Sequence, residues 1–267
     1  MNKVIIYDKD MNIHRCYSAE HQGMKVKYID HMGGDLSVVN SAYASFGRME
    51  HEYNPDKHNS LIQYLAKGMS SKDFNTMINE LTYNNLTKNE IRQCVETYRH
   101  IPTHWSPFAH TCITLQCTVP IAIHAQLVKH TVGFNINTVS RRYVSTTPEL
   151  FIPEFRSKPT GNIKQGSGDV HEQAHYWQVW YKRQAEASIR TYVDMIDAGI
   201  APEQARFILP QGVMTEFVWT GNVASFARMS NQRTDSHSQQ EIQDLAHMVG
   251  EIIKPLYPVS WNALTGS

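Results

Sequence analysis

The densest run of chemically capable side chains lies between Gln126 and Val144: Gln-Leu-Val-Lys-His-Thr-Val-Gly-Phe-Asn-Ile-Asn-Thr-Val-Ser-Arg-Arg-Tyr-Val. Lys129, His130, Arg141 and Arg142 surround an amide- and glycine-bearing turn, with Ser140 and Tyr143 beside the arginines. Cations, side-chain amides and a hydroxyl this close together suit a small phosphorylated ligand. A guanidinium offers a planar fork that matches phosphate geometry, and an ammonium acts as a point charge. Val128, Val132, Val139 and Val144 interleave these donors, apolar company that an ordinary surface loop rarely keeps. A second polar stretch, Arg233-Thr-Asp-Ser-His-Ser-Gln-Gln-Glu-Ile242, leads directly into an amphipathic helical pattern, and His104-Trp-Ser-Pro-Phe-Ala-His110 lies upstream of both.

The elements that must position these residues are legible in outline. Residues 3–7 read as a first strand, Asp35 to Phe46 as a short helix followed by strand, and 57–67 as a helix with Leu61, Ile62, Leu65 and Ala66 at helical spacing. Two more helical patterns fill 69–101. The second opens on Thr87-Lys-Asn-Glu90, where the Thr and Glu side chains can satisfy the free amides of a helix start. From Thr111 to Val119 the chain alternates, with Ile113, Leu115, Cys117 and Val119 on one face, the pattern of a half-buried strand. Pro120 suits the first turn of a following helix. On that helix Gln126 and His130, four apart, are expected to share a face. The Pro/Gly/Ser-rich interval 157–168 reads as a mobile loop. A helix of about 28 residues is expected to follow and to end at Gly199, with another starting at Pro202. The final helix carries Ile242, Leu245, Ala246, Val249, Ile252 and Ile253 as its apolar stripe, with His237 and Glu241 on its polar side. No internal repeat or interdomain linker is evident. The expectation is a single α+β domain over 1–267, a largely antiparallel sheet flanked by helices with a helical second part and a helical insertion at 69–101.

Composition narrows the function classes. The 267 residues can bury a sizeable core. Lys plus Arg and Asp plus Glu are 25 each, and a chain of zero net charge is no general binder of nucleic acid or membrane surfaces. The basic residues above are thus a local concentration on a neutral chain, which favours a small anionic ligand. The 14 histidines show no metal-ligand spacing, so no metal is expected. Cys16, Cys94, Cys112 and Cys117 form no CxxC pair and no disulfide framework. Cys112 and Cys117 are expected to face opposite sides of their strand. No apolar run approaches a membrane span, and the start lacks a signal peptide's apolar stretch. A soluble, reducing compartment, the cytoplasm, is the expected home.

The three polar blocks together resemble the flavin-dependent thymidylate synthases, which methylate dUMP without a cysteine nucleophile. That family's signature is Arg-His-Arg, seven residues, Ser, and then closely Arg-Tyr. Here Lys129-His130-Thr131 is followed after eight residues by Ser140-Arg141-Arg142-Tyr143. The block Asp35–Phe46 resembles the family's N-terminal block, with Tyr43 where Arg is usual, and Thr138 stands where Glu is common. The resemblance covers most of 3–48 and 100–255.

The resemblance implies reductive methylation of dUMP to dTMP, with methylenetetrahydrofolate as carbon donor, noncovalent FAD as hydride source and NADPH as its reductant. It implies nucleotide contacts at Gln126, Leu127, Val128, Lys129, Thr138, Val139, Ser140, Arg141, Arg142, Arg206 and Arg233, with Arg206 in the frame Ala-Arg-Phe-Ile-Leu-Pro210. It implies flavin contacts at His110, Cys112, Lys129, His130, Thr131, Val132, Thr138, Asn222, Val223, Ala224, Arg228 and His237. Arg233 is the implied catalytic group, orienting the uracil and favouring its ionised form; its bland alternative is an ion pair to Asp235 or Glu241. The family is a homotetramer whose sites draw on several subunits, and the same assembly is expected here. No GxGxxG follows a strand, which argues against a Rossmann flavoprotein. Two alternatives stand beside the main reading. One is a related enzyme that methylates or hydroxymethylates another pyrimidine nucleotide; the other is a catalytically silent nucleotide-binding protein.

Overall fold

A computed structural model describes residues 1–8, 13–67, 71–99, 104–159 and 166–266. Six strands make one sheet in the order β1-β2-β3-β4-β6-β5, every pairing antiparallel. They are β1 (Asn2–Asp8), β2 (Ile13–His21), β3 (Met24–Met32), β4 (Cys112–Pro120), β5 (Phe134–Thr138) and β6 (Met214–Gly221). The alternation of β4 is realised as expected: Ile113, Leu115, Cys117 and Val119 are fully buried, and Cys112 lies on the opposite, half-exposed face. Helix α10 (Gln240–Ile253) lays its whole stripe, Ile242 to Ile253, against β2 and β3. Burying each such side chain contributes roughly 1.5–3 kcal/mol. The expected α+β architecture is therefore present.

The other helices are α1 (Asp35–Tyr43), α2 (Pro55–Lys67), α3 (Ser71–Tyr83), α4 (Lys88–Arg99), α5 (Ser106–Ala109) and α6 (Ile121–Leu127). They continue with α7 (Ala174–Asp197), α8 (Pro202–Ala205), α9 (Val223–Arg233) and α11 (Pro258–Thr265). The pair α3–α4 fills the stretch read as an insertion. Its capping box is formed: Thr87 N donates to Glu90 Oε2 at 2.8 Å, and Glu90 N to Thr87 Oγ1 at 3.4 Å.

Several expectations need correction. No strand follows α1; the chain enters a 3₁₀ turn over Ala44–Phe46 and stops at Gly47, whose φ of 64° is left-handed. Phe46 is left exposed there, so no face is available for alternating burial. Pro120 is the last residue of β4, paired with Met214, and caps α6 in an extended conformation instead of joining its first turn. Helix α6 ends at Leu127. Lys129 N and His130 N then bond back to the carbonyls of Gln126 and Leu127, a three-residue spacing that tightens the exit and takes His130 off the helix. Gln126 and His130 therefore do not share a helical face. Helix α7 runs 24 residues and stops before Gly199, whose φ of 82° permits the left-handed cap. Helix α10 is followed by α11, so it is not the last. It also begins beyond His237, and Glu241 is buried, so the two do not form a polar side. Of the expected loop 157–168, residues 160–165 lie outside the described residues. Its flanks are joined by Ser157 N to Asp169 O and Gly168 N to Ser157 O, both 2.9 Å.

The chain end is clasped to α1. The buried Asp35 carboxylate accepts from Val259 N at 2.8 Å, Ser260 N at 2.9 Å and Ser260 Oγ at 2.5 Å, satisfying free amides at the start of α11. Burial pushes its pKa up, against the pull of those bonds. No helix among the described residues is long and apolar enough to cross a membrane.

Candidate active site

The central contact joins two blocks far apart in the chain. Arg233, at the end of α9, donates its Nε–H to His130 Nε2 at 2.9 Å. The imidazole must be neutral at Nε2 to accept, which leaves its proton on Nδ1. Burial, with the nearby cations Arg233 and Arg228, holds the His130 pKa below its ordinary value and favours that neutral form. Arg233 makes no ion pair to Asp235 or Glu241 among the described residues; Asp235 instead engages His237 at 2.9 Å. With its Nε edge fixed, the half-exposed guanidinium keeps Nη1 and Nη2 free of protein hydrogen bonds among the described residues. A planar, oriented, uncommitted pair of donors suits an imide or carboxylate-like acceptor.

Gln126 joins the same cluster. Its Nε2 bonds the side-chain oxygen of Gln239, so the end of α6 is tied to the segment between α9 and α10. Lys129, Thr131 and Val132 are exposed around it. Arg228 donates to the Val132 carbonyl at 2.8 Å, holding the loop after His130 against α9. Gly133 completes that approach. Its φ is +75°, and a Cβ there would lie 2.0 Å from Ser225 Oγ and 3.0 Å from Asn222 Nδ2. Asn222 caps α9 by accepting from Ser225 N at 2.9 Å. Thr111, buried, accepts from Val223 N at 3.0 Å and donates to Phe108 O at 2.8 Å. It thereby ties the start of α9 to the corner that carries His110 and Cys112.

A second basic group forms after β5. Arg142 Nε lies 3.6 Å from Glu203 Oε2, and Arg206 Nε donates to the Glu203 carbonyl at 3.3 Å. Glu203 thus sits between the two arginines. Arg141 turns elsewhere: it bonds the Thr146 carbonyl and lines an open cleft of about 400 Å³ with Lys25, Val139, Glu149 and Glu216.

Most of the residues expected from the sequence therefore gather in two groups. Gln126, Lys129, His130, Thr131, Val132, Asn222, Arg228 and Arg233 surround the α6–α9 junction. Ser140, Arg142 and Arg206 lie beyond β5, and Arg141 turns away from them toward Thr146. Leu127 and Val223 are wholly buried, so their side chains serve the core. His237 is exposed and held by Asp235, and His110 is exposed at the end of α5; neither bonds another of these residues among the described ones. No local motif marks Gln239, Glu203, Thr111 or His124. Each acts through a partner distant in sequence, so no local spacing flags it.

The arrangement fits a flavin nucleotide by its donor set. Exposed Lys129 and Arg228 can meet a pyrophosphate, and the close backbone approach at Gly133 leaves Thr131 and Val132 presented outward.

The sequence profile described as thymidylate synthase complementing protein matches residues 27–259. A flavin-dependent thymidylate synthase of Thermotoga neapolitana is 30% identical over 244 residues, covering 89% of each chain. One from Dictyostelium discoideum is 27% identical over 273 residues, covering 98% of this chain and 78% of its own. Among solved structures, a UMP/dUMP methylase of Streptomyces cacaoi bound with 5-Br dUMP superposes with a TM-score of 0.71 at 22% identity, over 91% of this chain and 95% of its own. With that profile matching residues 27–259 and a relative 30% identical over 89% of each chain, the chain belongs to the flavin-dependent thymidylate synthase family.

Proposed function

We propose that this protein converts dUMP to dTMP, using methylenetetrahydrofolate as carbon donor and a noncovalent FAD that NADPH reduces. The observation that carries the reading is Arg233, fixed through Nε by neutral His130 with its two Nη groups uncommitted. Such a guanidinium can hold the uracil edge and stabilise negative charge as it develops on the ring, preorganised electrostatic help of a kind that is commonly a major catalytic term. Ser140, Arg142 and Arg206 suit the nucleotide phosphate, and Gln126 and Lys129 its sugar and base side. Lys129, His130, Asn222 and Arg228 would hold the FAD, which would supply the hydride when bound, while the protein binds, orients and excludes water.

No cysteine is needed as nucleophile. Cys117 is fully buried in β4, and burial pushes its thiol far up, away from the thiolate that attack requires. The described cysteines are all free thiols, which suits a reducing cytoplasm.

The two basic groups have no hydrogen bond or ion pair between them among the described residues. That separation, with Tyr176, Trp177, Val179 and Trp180 exposed along α7, supports a homotetramer in which one subunit's Arg142–Arg206 group completes another's Arg233 group.

The test is product analysis by mass spectrometry on the flavin-loaded enzyme, offered dUMP, UMP or dCMP with methylenetetrahydrofolate and NADPH. Methylation of dUMP is the expected result. The similar Streptomyces structure is described as a UMP/dUMP methylase, so UMP is the competing substrate to exclude. Well-folded protein that shows no saturable FAD binding overturns the reading.

A further inference from the structure

The two halves of the signature follow directly on helix α6 and strand β5, yet α6 packs chiefly on β4 and β6. Among the described residues one hydrogen bond joins α6 to β5: His124 Nε2 to Thr138 Oγ1, at 2.9 Å. Thr138 is the last residue of β5, on its inner face with Phe134 and Ile136. The next residue, Val139, makes the final backbone bond to β6, N to Glu216 O at 2.8 Å, before the chain turns through Ser140–Tyr143. His124 is as well placed on its own side. Its carbonyl accepts Val128 N at 3.1 Å in the closing turn of α6, and its ring stands edge-on to Phe217 with centroids 4.9 Å apart. Phe217 is the β6 partner of Thr138, so imidazole, phenyl ring and hydroxyl make one packed unit.

We infer that His124 and Thr138 form a positioning pair that sets the spacing between Gln126–His130 and Ser140–Arg142, and thereby the fit of the nucleotide. The inference rests on the dUMP reading above. A short hydroxyl at 138 leaves room for the imidazole, whereas the Glu common at this place in the family would be longer and charged. Thr138 therefore acts through His124, its hydroxyl already engaged, and not through ligand contact.

The test uses the FAD-loaded full chain with dUMP, measuring KM and kcat separately together with flavin content. Thr138→Val removes the hydroxyl at equal volume. It should raise the KM for dUMP roughly five- to thirtyfold while kcat changes less than about threefold, the range expected for a coupled pair of neighbours. A merely structural role would lower the active fraction, read in kcat, and leave KM alone. His124→Gln, which can place an amide where Nε2 stands, should keep KM within about twofold, while His124→Asn, too short, should behave like Thr138→Val. The double variant His124→Asn with Thr138→Val should be no worse than either single change. Unchanged KM in folded Thr138→Val, or fully additive losses in the double variant, overturns the pair. A wild-type enzyme that neither binds nor methylates dUMP overturns the thymidylate reading itself, and the pair's assigned role with it.

Discussion

Replacing Arg233 is the sharpest probe of this site. The side chain is half-exposed in the last turn of α9, and its hydrogen bond among the described residues is to His130. Its stability role is therefore small. A cation near a helix C-terminus contributes about 0.3–1 kcal/mol, and a hydrogen bond to a charged group about 1.5–3 kcal/mol, less where water can replace it. Arg233→Ala should remain folded and keep its flavin. The catalytic loss should be larger. Removing one preorganised donor from a developing anion costs about 2.7–4 kcal/mol, or 100- to 1000-fold in kcat. Arg233→Lys should recover little, since one ammonium cannot bond His130 and present a planar fork as well. The assay is dUMP-dependent oxidation of prereduced enzyme with methylenetetrahydrofolate, with dTMP quantified and flavin occupancy matched. Near-normal dTMP formation by Arg233→Ala would refute the assignment of this residue, and full rescue by Lys would refute the role of the fork.

Three further outcomes are expected. Changing Cys16, Cys94, Cys112 or Cys117 to Ala one at a time should leave turnover in whatever remains folded; complete loss from one such change at intact flavin content would contradict a cysteine-independent mechanism. Gly133→Ala should weaken FAD binding at least tenfold, by titration of apoprotein, because its Cβ would collide with Ser225 Oγ at 2.0 Å on a left-handed backbone; unaltered affinity would remove this loop from the flavin site. His130 has a folded pKa below its unfolded value near 6.5, so its contribution to stability and to holding Arg233 is present above about pH 6.5 and is lost as pH falls through the folded pKa. An acid limb in kcat/KM that persists unshifted in His130→Gln would show that another group controls it.

The sequence by itself determined what depends on local period and local chemistry. Alternation at Ile113, Leu115, Cys117 and Val119 could be satisfied only by a strand with one buried face, and the Ile242–Ile253 stripe only by a helix on an apolar surface. Thr87 and Glu90 announced a helix start because both partners of the capping box lie within one turn. The concentration of Lys129, His130, Arg141 and Arg142 likewise pointed to a candidate ligand site, which the fold divides between the α6–α9 junction and the turn after β5. Tertiary structure decided the rest. The His130–Arg233 bond spans 103 residues, and the Asp35 clasp on α11 spans 224. Neither has a periodic signature; both exist because the strand order places β6 and α9 beside β4 and brings α11 back over α1. His124 and Glu203 lack a local signature for the same reason, each meaningful only through a partner that folding brings beside it. The local errors have a similar cause. Pro120 was claimed by the β6 ladder, and His130 left its helix because the chain had to turn back into β5. Local pattern sets which face of an element is buried, whereas long-range packing sets which polar groups meet there.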